Sequence, residues 1–180
     1  LLLEAVQRLG TSVPGLKVLI VGDGPDGPRL RELAQSLGVT DRVVFAGAVF
    51  NEDQLAPYFV SADVFCYPAN IGLSLIHALG YGLPIVTSAK VEAQNPEIEA
   101  FRPGVNGLYY DDGDADSLAQ TLCSVLADGA HRSRLAKGAA DTVRGDFLVE
   151  KMVDGMEAAI RTAGIRQPRP VPEGLTPKPA

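Results

Sequence analysis

Apolar and polar positions fall into alternating blocks along the chain. Residues 17–21 (Lys-Val-Leu-Ile-Val) are a near-continuous apolar run, and residues 42–45 (Arg-Val-Val-Phe) and 63–67 (Asp-Val-Phe-Cys-Tyr) repeat it. Short runs rich in β-branched and aromatic residues predict strands, and runs without a polar alternation predict strands covered on both faces of a parallel sheet. Between them, apolar residues recur three or four apart, which is helical spacing. Residues 1–10 carry Leu1, Leu2, Ala5, Val6 and Leu9, residues 28–37 open on a proline and stop before Gly38, and residues 52–61 follow Asn51, a good N-cap.

Residues 68–88 organise the rest. Pro68, Ala69 and Asn70 break a strand, and the spacing from Ile71 through Leu73, Leu75, Ile76 and Leu79 predicts a helix from residue 71. Gly80, Gly82 and Pro84 stop it, and residues 84–87 (Pro-Ile-Val-Thr) start another strand. Strand, loop, helix and strand make a βαβ unit of a parallel sheet. Residues 106–110 predict a further strand, residues 111–116 a polar turn that caps a helix over 117–127, and residues 130–144 and 147–163 two more helices. The expected fold is α/β, a doubly wound parallel sheet of about five strands with helices on both faces, Rossmann-like, over residues 1–163. Residues 164–180 hold five prolines among few apolar residues and are expected to be a linker or disordered tail. The chain opens inside an amphipathic helix without a methionine, so it reads as a piece of a longer protein whose first strand precedes residue 1.

In such a sheet, ligands sit beyond the carboxyl ends of the strands. The loop from Pro68 to Leu73 lies at that end and leads into a helix N-terminus, where free N–H groups and the helix dipole favour a phosphate. Gly72 lets backbone approach a ligand, Asn70 can donate to a ligand or shape the loop, and the Ser74 hydroxyl can reach an anion or bond the backbone. His77, about one and a half turns on, either looks into the same crevice or is satisfied at the surface or by a neighbour.

Other motifs carry less. Residues 22–27 (Gly-Asp-Gly-Pro-Asp-Gly) spell G-x-G-x-x-G after a strand, but the next strand ends in Ala46-Gly47 rather than in the acidic residue a dinucleotide site wants. A turn lining a different ligand and a purely structural turn both remain open for it. Glu97 and Glu99 could act as acid and base or could be a solvated helix start. The acidic run 111–116 lacks the bidentate glutamate of a calcium loop, and no metal-ligand spacing or nucleophile elbow appears. Cys66 and Cys123 give no disulfide framework and suit reduced thiols of a cytoplasmic protein. The net charge of −6 argues against a broad nucleic-acid footprint while leaving room for a local site for a phosphorylated small molecule.

Taken together, the chain resembles the C-terminal, nucleotide-sugar-binding domain of a GT-B retaining glycosyltransferase of the group 1 type (family 4). The resemblance rests on motifs in order over about residues 1–147. They are Leu2-Leu-Glu-Ala-Val, Val21-Gly-Asp-Gly-Pro, Asp41-Arg-Val-Val-Phe-Ala-Gly, Ser61-Ala-Asp-Val-Phe, Gly72-Leu with Ala78 and Gly82-Leu-Pro-Ile-Val, Pro96-Glu97, and Gly104-Val-Asn-Gly. It implies that Gly22, Asp23 and Gly24 lie on the donor side, that backbone at Ala48 and Val49 meets the base, and that the loop with Asn70, Ile71, Gly72, Leu73 and Ser74 meets sugar and phosphates. The family usually has two glutamates eight positions apart, where this chain has Ala69 and His77, so the ribose contact passes to His77 and the sugar contact to Asn70 or backbone. An arginine and a lysine that bind the diphosphate, and the N-terminal domain that binds the acceptor, would precede residue 1. Without them the isolated chain is expected not to catalyse transfer. The implied activity is hexosyl transfer from a nucleoside diphosphate sugar in glycan or glycolipid biosynthesis. No metal or other cofactor is expected and no nucleic-acid partner, and peripheral membrane association would run through the missing domain. A non-catalytic nucleotide-binding module and a nucleotide-sugar epimerase on the same scaffold are the alternatives.

Overall fold

The computed structural model describes residues 1–10 and 12–164; the tail expected over 164–180 falls, from residue 165 on, outside the described residues. The chain divides into two compact units, Leu1–Asp146 and Phe147–Ala180. The described part of the second holds helix α7 (Val149–Thr162), whose Val149, Met152, Val153, Met156 and Ile160 recur at helical spacing.

The first unit alternates helix and strand. Its helices are α1 (Leu2–Leu9), α2 (Gly27–Ser36), α3 (Glu52–Ser61), α4 (Ser74–Gly80), α5 (Ala115–Ala127) and α6 (Gly129–Asp146). Its strands are β1 (Val18–Val21), β2 (Val43–Gly47), β3 (Phe65–Tyr67), β4 (Ile85–Ser88) and β5 (Gly107–Tyr110). Every pairing is parallel, as the apolar runs predict, yet the strands form two sheets rather than one, β1-β2 and β3-β4-β5. Among the described residues, β1 and β3 each pair on one edge only. In β1 one face is covered and the other open: Val18 and Ile20 pack with Leu3, Val6, Ala34 and Val39, while Leu19 and Val21 are each 38% exposed. Burial on both faces is reached by β4, all four residues of which are buried.

Helix α1 ties the two halves together. Leu3 and Val6 enter the cluster under β1 and β2, whereas Ala5 and Leu9 pack with Val86, Leu118, Leu122 and Val125 around the second sheet. Helix caps follow the sequence. The Asn51 side chain accepts from the Asp53 N–H, and Asp114 accepts from Asp116 and Ser117, so the acidic run 111–116 is a turn and cap.

Behind the second sheet the packing is tight. Asn106 is fully buried: its amide donates to the Ala100 carbonyl and the Thr142 hydroxyl, and its oxygen accepts from the Arg102 N–H. A Cβ at Gly138 on α6 would overlap the Val105 carbonyl, and one at Gly107 would overlap the Ile85 carbonyl and the Phe101 ring. Gly138→Ala is therefore expected to destabilise by about 1–3 kcal/mol through overpacking. Asn106→Ala, which removes the partner of the Ala100 carbonyl, the Arg102 N–H and the Thr142 hydroxyl, should cost at least as much. Chemical denaturation measures both, and wild-type midpoints would refute this account of the packing.

Candidate functional site

The loop after β3 is set by one apolar anchor. The Ile71 side chain is fully buried among Leu75, Leu79, Leu83 and Ile85. The Ile71 N–H donates to Gln94 Oε1 at 2.8 Å, and its carbonyl accepts from the Asn95 N–H at 3.2 Å. Asn70 takes a left-handed φ of 57°, which asparagine tolerates better than most residues, and its carbonyl accepts from Asn95 Nδ2 at 2.8 Å. A Cβ at Gly72 would press on the Asn95 amide at 3.4 Å. Two consecutive amides beyond β4 thus hold the exit of β3 from below.

This anchoring delays the helix. The sequence spacing predicts a start at residue 71, but α4 begins at Ser74, because the backbone of Asn70 and Ile71 is spent on Gln94 and Asn95. The apolar register turns accordingly, with Ile71 inward and Leu73 75% exposed. Among the described residues, the N–H groups of Gly72, Leu73 and Ser74 have no acceptor, while Leu75 N–H already closes on the Gly72 carbonyl. Three open donors at a helix N-terminus can take an anion. Ile71 itself offers a ligand neither its side chain nor its N–H; its part in the loop is anchorage.

The neighbouring strand ends are joined to this loop. Ser88 Oγ donates to Asp112 at 2.6 Å and accepts from the Lys90 N–H, and Gln94 Nε2 donates to the Ser88 carbonyl. The Tyr110 hydroxyl donates to the Pro68 carbonyl at 2.6 Å, and burial pushes its pKa up to about 12, so it stays a donor. Gly22 N–H donates to the Gly47 carbonyl, which brings the Gly22-Asp23-Gly24 turn beside Ala48 and Val49 at the ends of β1 and β2. Asp23 Oδ1 accepts from the Gly24 N–H at 2.8 Å. Both glycines and Asp23 are exposed, as is Ala48, and Phe50 just beyond is 95% exposed.

His77 links the two sets of strand ends. Its Nε2 lies 3.1 Å from Oε1 of Glu52, the first residue of α3 after the β2 loop. The Tyr81 hydroxyl donates to the same oxygen. The two donors hold the Glu52 carboxyl below the usual carboxylate range, the Tyr81 bond first, and the carboxylate holds the Tyr81 phenol above its ordinary value. The imidazole lies 4.6 Å from the Phe59 ring and 5.5 Å from Tyr81, and Phe59 and Tyr81 stack at 5.0 Å. Of the two sequence expectations for His77, satisfaction by a neighbour is met at Nε2, and the side chain remains 36% exposed.

Glu97 is half-buried and Glu99 exposed on a 3-10 turn, Pro96–Ala100, directly after Asn95. Cys66 and Cys123 are free, and burial raises the Cys66 thiol to about 12, too high for a nucleophile at neutral pH. No three His, Cys, Asp or Glu side chains among the described residues group as a metal site. A shallow cleft of about 210 Å³ lies at the far ends of α3 and α4, lined by Val60, Asp63, Leu83 and Arg132, away from the open amides. No helix among the described residues is long and apolar enough to cross a membrane. Sequence reasoning missed Glu52, Tyr81, Gln94 and Asn95; the Asn-Pro pair at 95–96 was the one local hint of a turn there.

The arrangement is an α/β scaffold of parallel strands whose carboxyl-end loops carry open amide donors. Comparison with known proteins narrows the class. The family described as "Glycosyl transferases group 1" matches residues 1–128. The chain is 34% identical over 156 residues to the lipopolysaccharide core biosynthesis glycosyltransferase LpsE of Rhizobium meliloti (strain 1021), covering 85% of this chain and 43% of that protein. It is 28% identical over 167 residues to the GDP-mannose-dependent alpha-(1-6)-phosphatidylinositol monomannoside mannosyltransferase of Mycobacterium tuberculosis (strain CDC 1551 / Oshkosh), covering 85% and 42%. Among solved structures, Anabaena Alr3699/HepE in complex with UDP superposes with a TM-score of 0.73 at 22% identity, over 89% of this chain and 44% of that one. The chain therefore belongs to the group 1 glycosyl transferases, and its fold is the C-terminal, Rossmann-like domain of a GT-B enzyme. It spans less than half the length of these relatives.

If Gln94 holds the loop, Gln94→Ala leaves the Ile71 N–H without its acceptor. The Ile71 amide is then expected to exchange with solvent about tenfold faster, roughly the cost of one lost hydrogen bond. Hydrogen exchange read by NMR decides it, and an unchanged rate would show that the loop is held by something else.

Proposed function

We propose that this chain binds the nucleoside diphosphate sugar donor of a retaining hexosyl transfer in glycan or glycolipid biosynthesis. The observation that carries the reading is the row of unspent N–H groups at Gly72, Leu73 and Ser74, held open by the Ile71 anchor at the strand ends. A diphosphate supplies the acceptors those donors lack, and the α4 dipole favours its charge. In this reading Ala48 and Val49 meet the base, Gly22, Asp23 and Gly24 border the donor, His77 meets the ribose, and Asn70 faces the sugar. The mannosyltransferase relative is GDP-mannose-dependent by name, and the HepE structure contains UDP; both support a nucleotide-linked donor. The acceptor, the cations that steady the departing diphosphate and any peripheral membrane contact belong to the part of its relatives' length that this chain does not span, and the site works on the cytoplasmic side without a resident metal.

The test is a thermal-shift and calorimetry panel of nucleoside diphosphates against the 180-residue chain. One base is expected to raise the melting temperature, because a ligand at 100 times its Kd stabilises the folded state by about 2.7 kcal/mol. The matching nucleoside, lacking phosphates, should give little shift. His77→Ala should weaken the diphosphate by about 1 kcal/mol, the scale of one hydrogen bond. A panel in which no nucleoside diphosphate binds would refute the reading.

A further inference from the structure

The trio Glu52, His77 and Tyr81 is more ordered than stability asks of it. The Glu52 and His77 side chains are 58% and 36% exposed, and exposed pairs contribute little to folding. Yet two donors, His77 on α4 and Tyr81 just past its end, converge on one oxygen of a carboxylate from α3, and the imidazole packs a second time, tilted, against Phe59.

The polarity of that bond has a chemical consequence. A carboxylate only accepts, so His77 Nε2 must carry a hydrogen and donate it. In the neutral ring, Nδ1 is then a lone pair, and it has no partner among the described residues. Glu52 Oε2 is a second acceptor without a partner among them. Both remaining polar atoms of the pair accept, so a ligand that satisfies them must bring donors. Of a nucleoside diphosphate's parts, the phosphates are acceptors, whereas the ribose 2′,3′-diol has two adjacent O–H donors.

We infer that Glu52 is a positioning residue that sets the His77 tautomer, so that Nδ1 accepts a ribose hydroxyl and the site prefers ribonucleotides to deoxyribonucleotides. This rests on the donor-site reading above. Tyr81 has the supporting part of fixing the carboxylate rotamer. The phenol held above its ordinary pKa and the carboxyl held below its own agree with a protonated donor on an ionised acceptor.

Two measurements on the 180-residue chain test it. Long-range ¹H–¹⁵N correlation reads the tautomer of His77, with His131→Gln removing the other histidine signal. Calorimetry compares the nucleoside diphosphate that binds with its 2′-deoxy and 3′-deoxy forms. The wild type is expected to show the Nε2–H tautomer and to favour the ribose form by about fivefold, the worth of one hydrogen bond. Glu52→Ala should lose that discrimination, falling to the deoxy affinity, with melting temperature and deoxy affinity close to wild type, whereas Glu52→Gln, whose amide oxygen still accepts the Nε2–H, should retain it. A Nδ1–H tautomer in the wild type, or discrimination unmoved in Glu52→Ala while the diphosphate still binds, overturns the inference alone. Failure of every nucleoside diphosphate to bind overturns the donor-site reading and this inference together.

Discussion

The direction in which one isoleucine points governs the rim of this domain. With Ile71 drawn into the core between α4 and β4, the chain leaving β3 cannot run straight into a helix. It dips, reverses at Asn70 in a left-handed conformation, and hangs its backbone on Gln94 and Asn95. The cost of that detour is met by burial of a large apolar side chain, on the order of 1.5–3 kcal/mol, and by hydrogen bonds to the amides beyond β4. Its by-product is functional geometry. Past residues 70 and 71, whose polar groups are taken by Gln94 and Asn95, the next three N–H groups have no acceptor among the described residues.

The elements that local physics controls could be read from the sequence. The apolar runs gave parallel strands, Asn51 and the acidic run gave caps, and the glycine- and proline-rich breaks gave the loops that form the rim. What could not be read depended on partners distant in sequence. The helix start moved from 71 to 74 because of side chains more than twenty residues away, and the role of Leu73 inverted with it. The division into two sheets is equally invisible to periodicity, since an apolar run looks the same whether one edge is paired or two. Glu52 shows the limit most plainly. An acidic residue in the first turn of a helix reads as a complement to the dipole, and nothing near it announces a histidine and a tyrosine from another helix.

Rigidity and polarity are divided between the two ends of the second sheet. Behind it, Gly107 and Gly138 allow backbone to meet backbone, and Asn106 bonds Ala100, Arg102 and Thr142 there. Such a core has no slack, so the loops it carries inherit a fixed spacing. At the rim, polar side chains join the loops, and Ser88, Asp112 and Gln94 brace one loop against the next. A site that must hold a flexible, charged ligand gains from this division, because the reorganisation cost has been met in folding rather than at binding.

The exchange of a carboxylate for an imidazole at position 77 also has an electrostatic logic under the donor-site reading. A glutamate there would place a full negative charge near a diphosphate that already carries at least two. Here the carboxylate stands one group further back, on α3, and acts through the ring. Donation from Nε2 to Glu52 pushes electron density toward Nδ1 and strengthens it as an acceptor. Repulsion between unit charges falls with distance and is screened at an exposed rim, whereas the hydrogen bond to a hydroxyl is made or lost at contact. Setting the charge back therefore weakens the unfavourable term more than the favourable one, and that difference is what makes Glu52, rather than the histidine alone, the residue on which the discrimination depends.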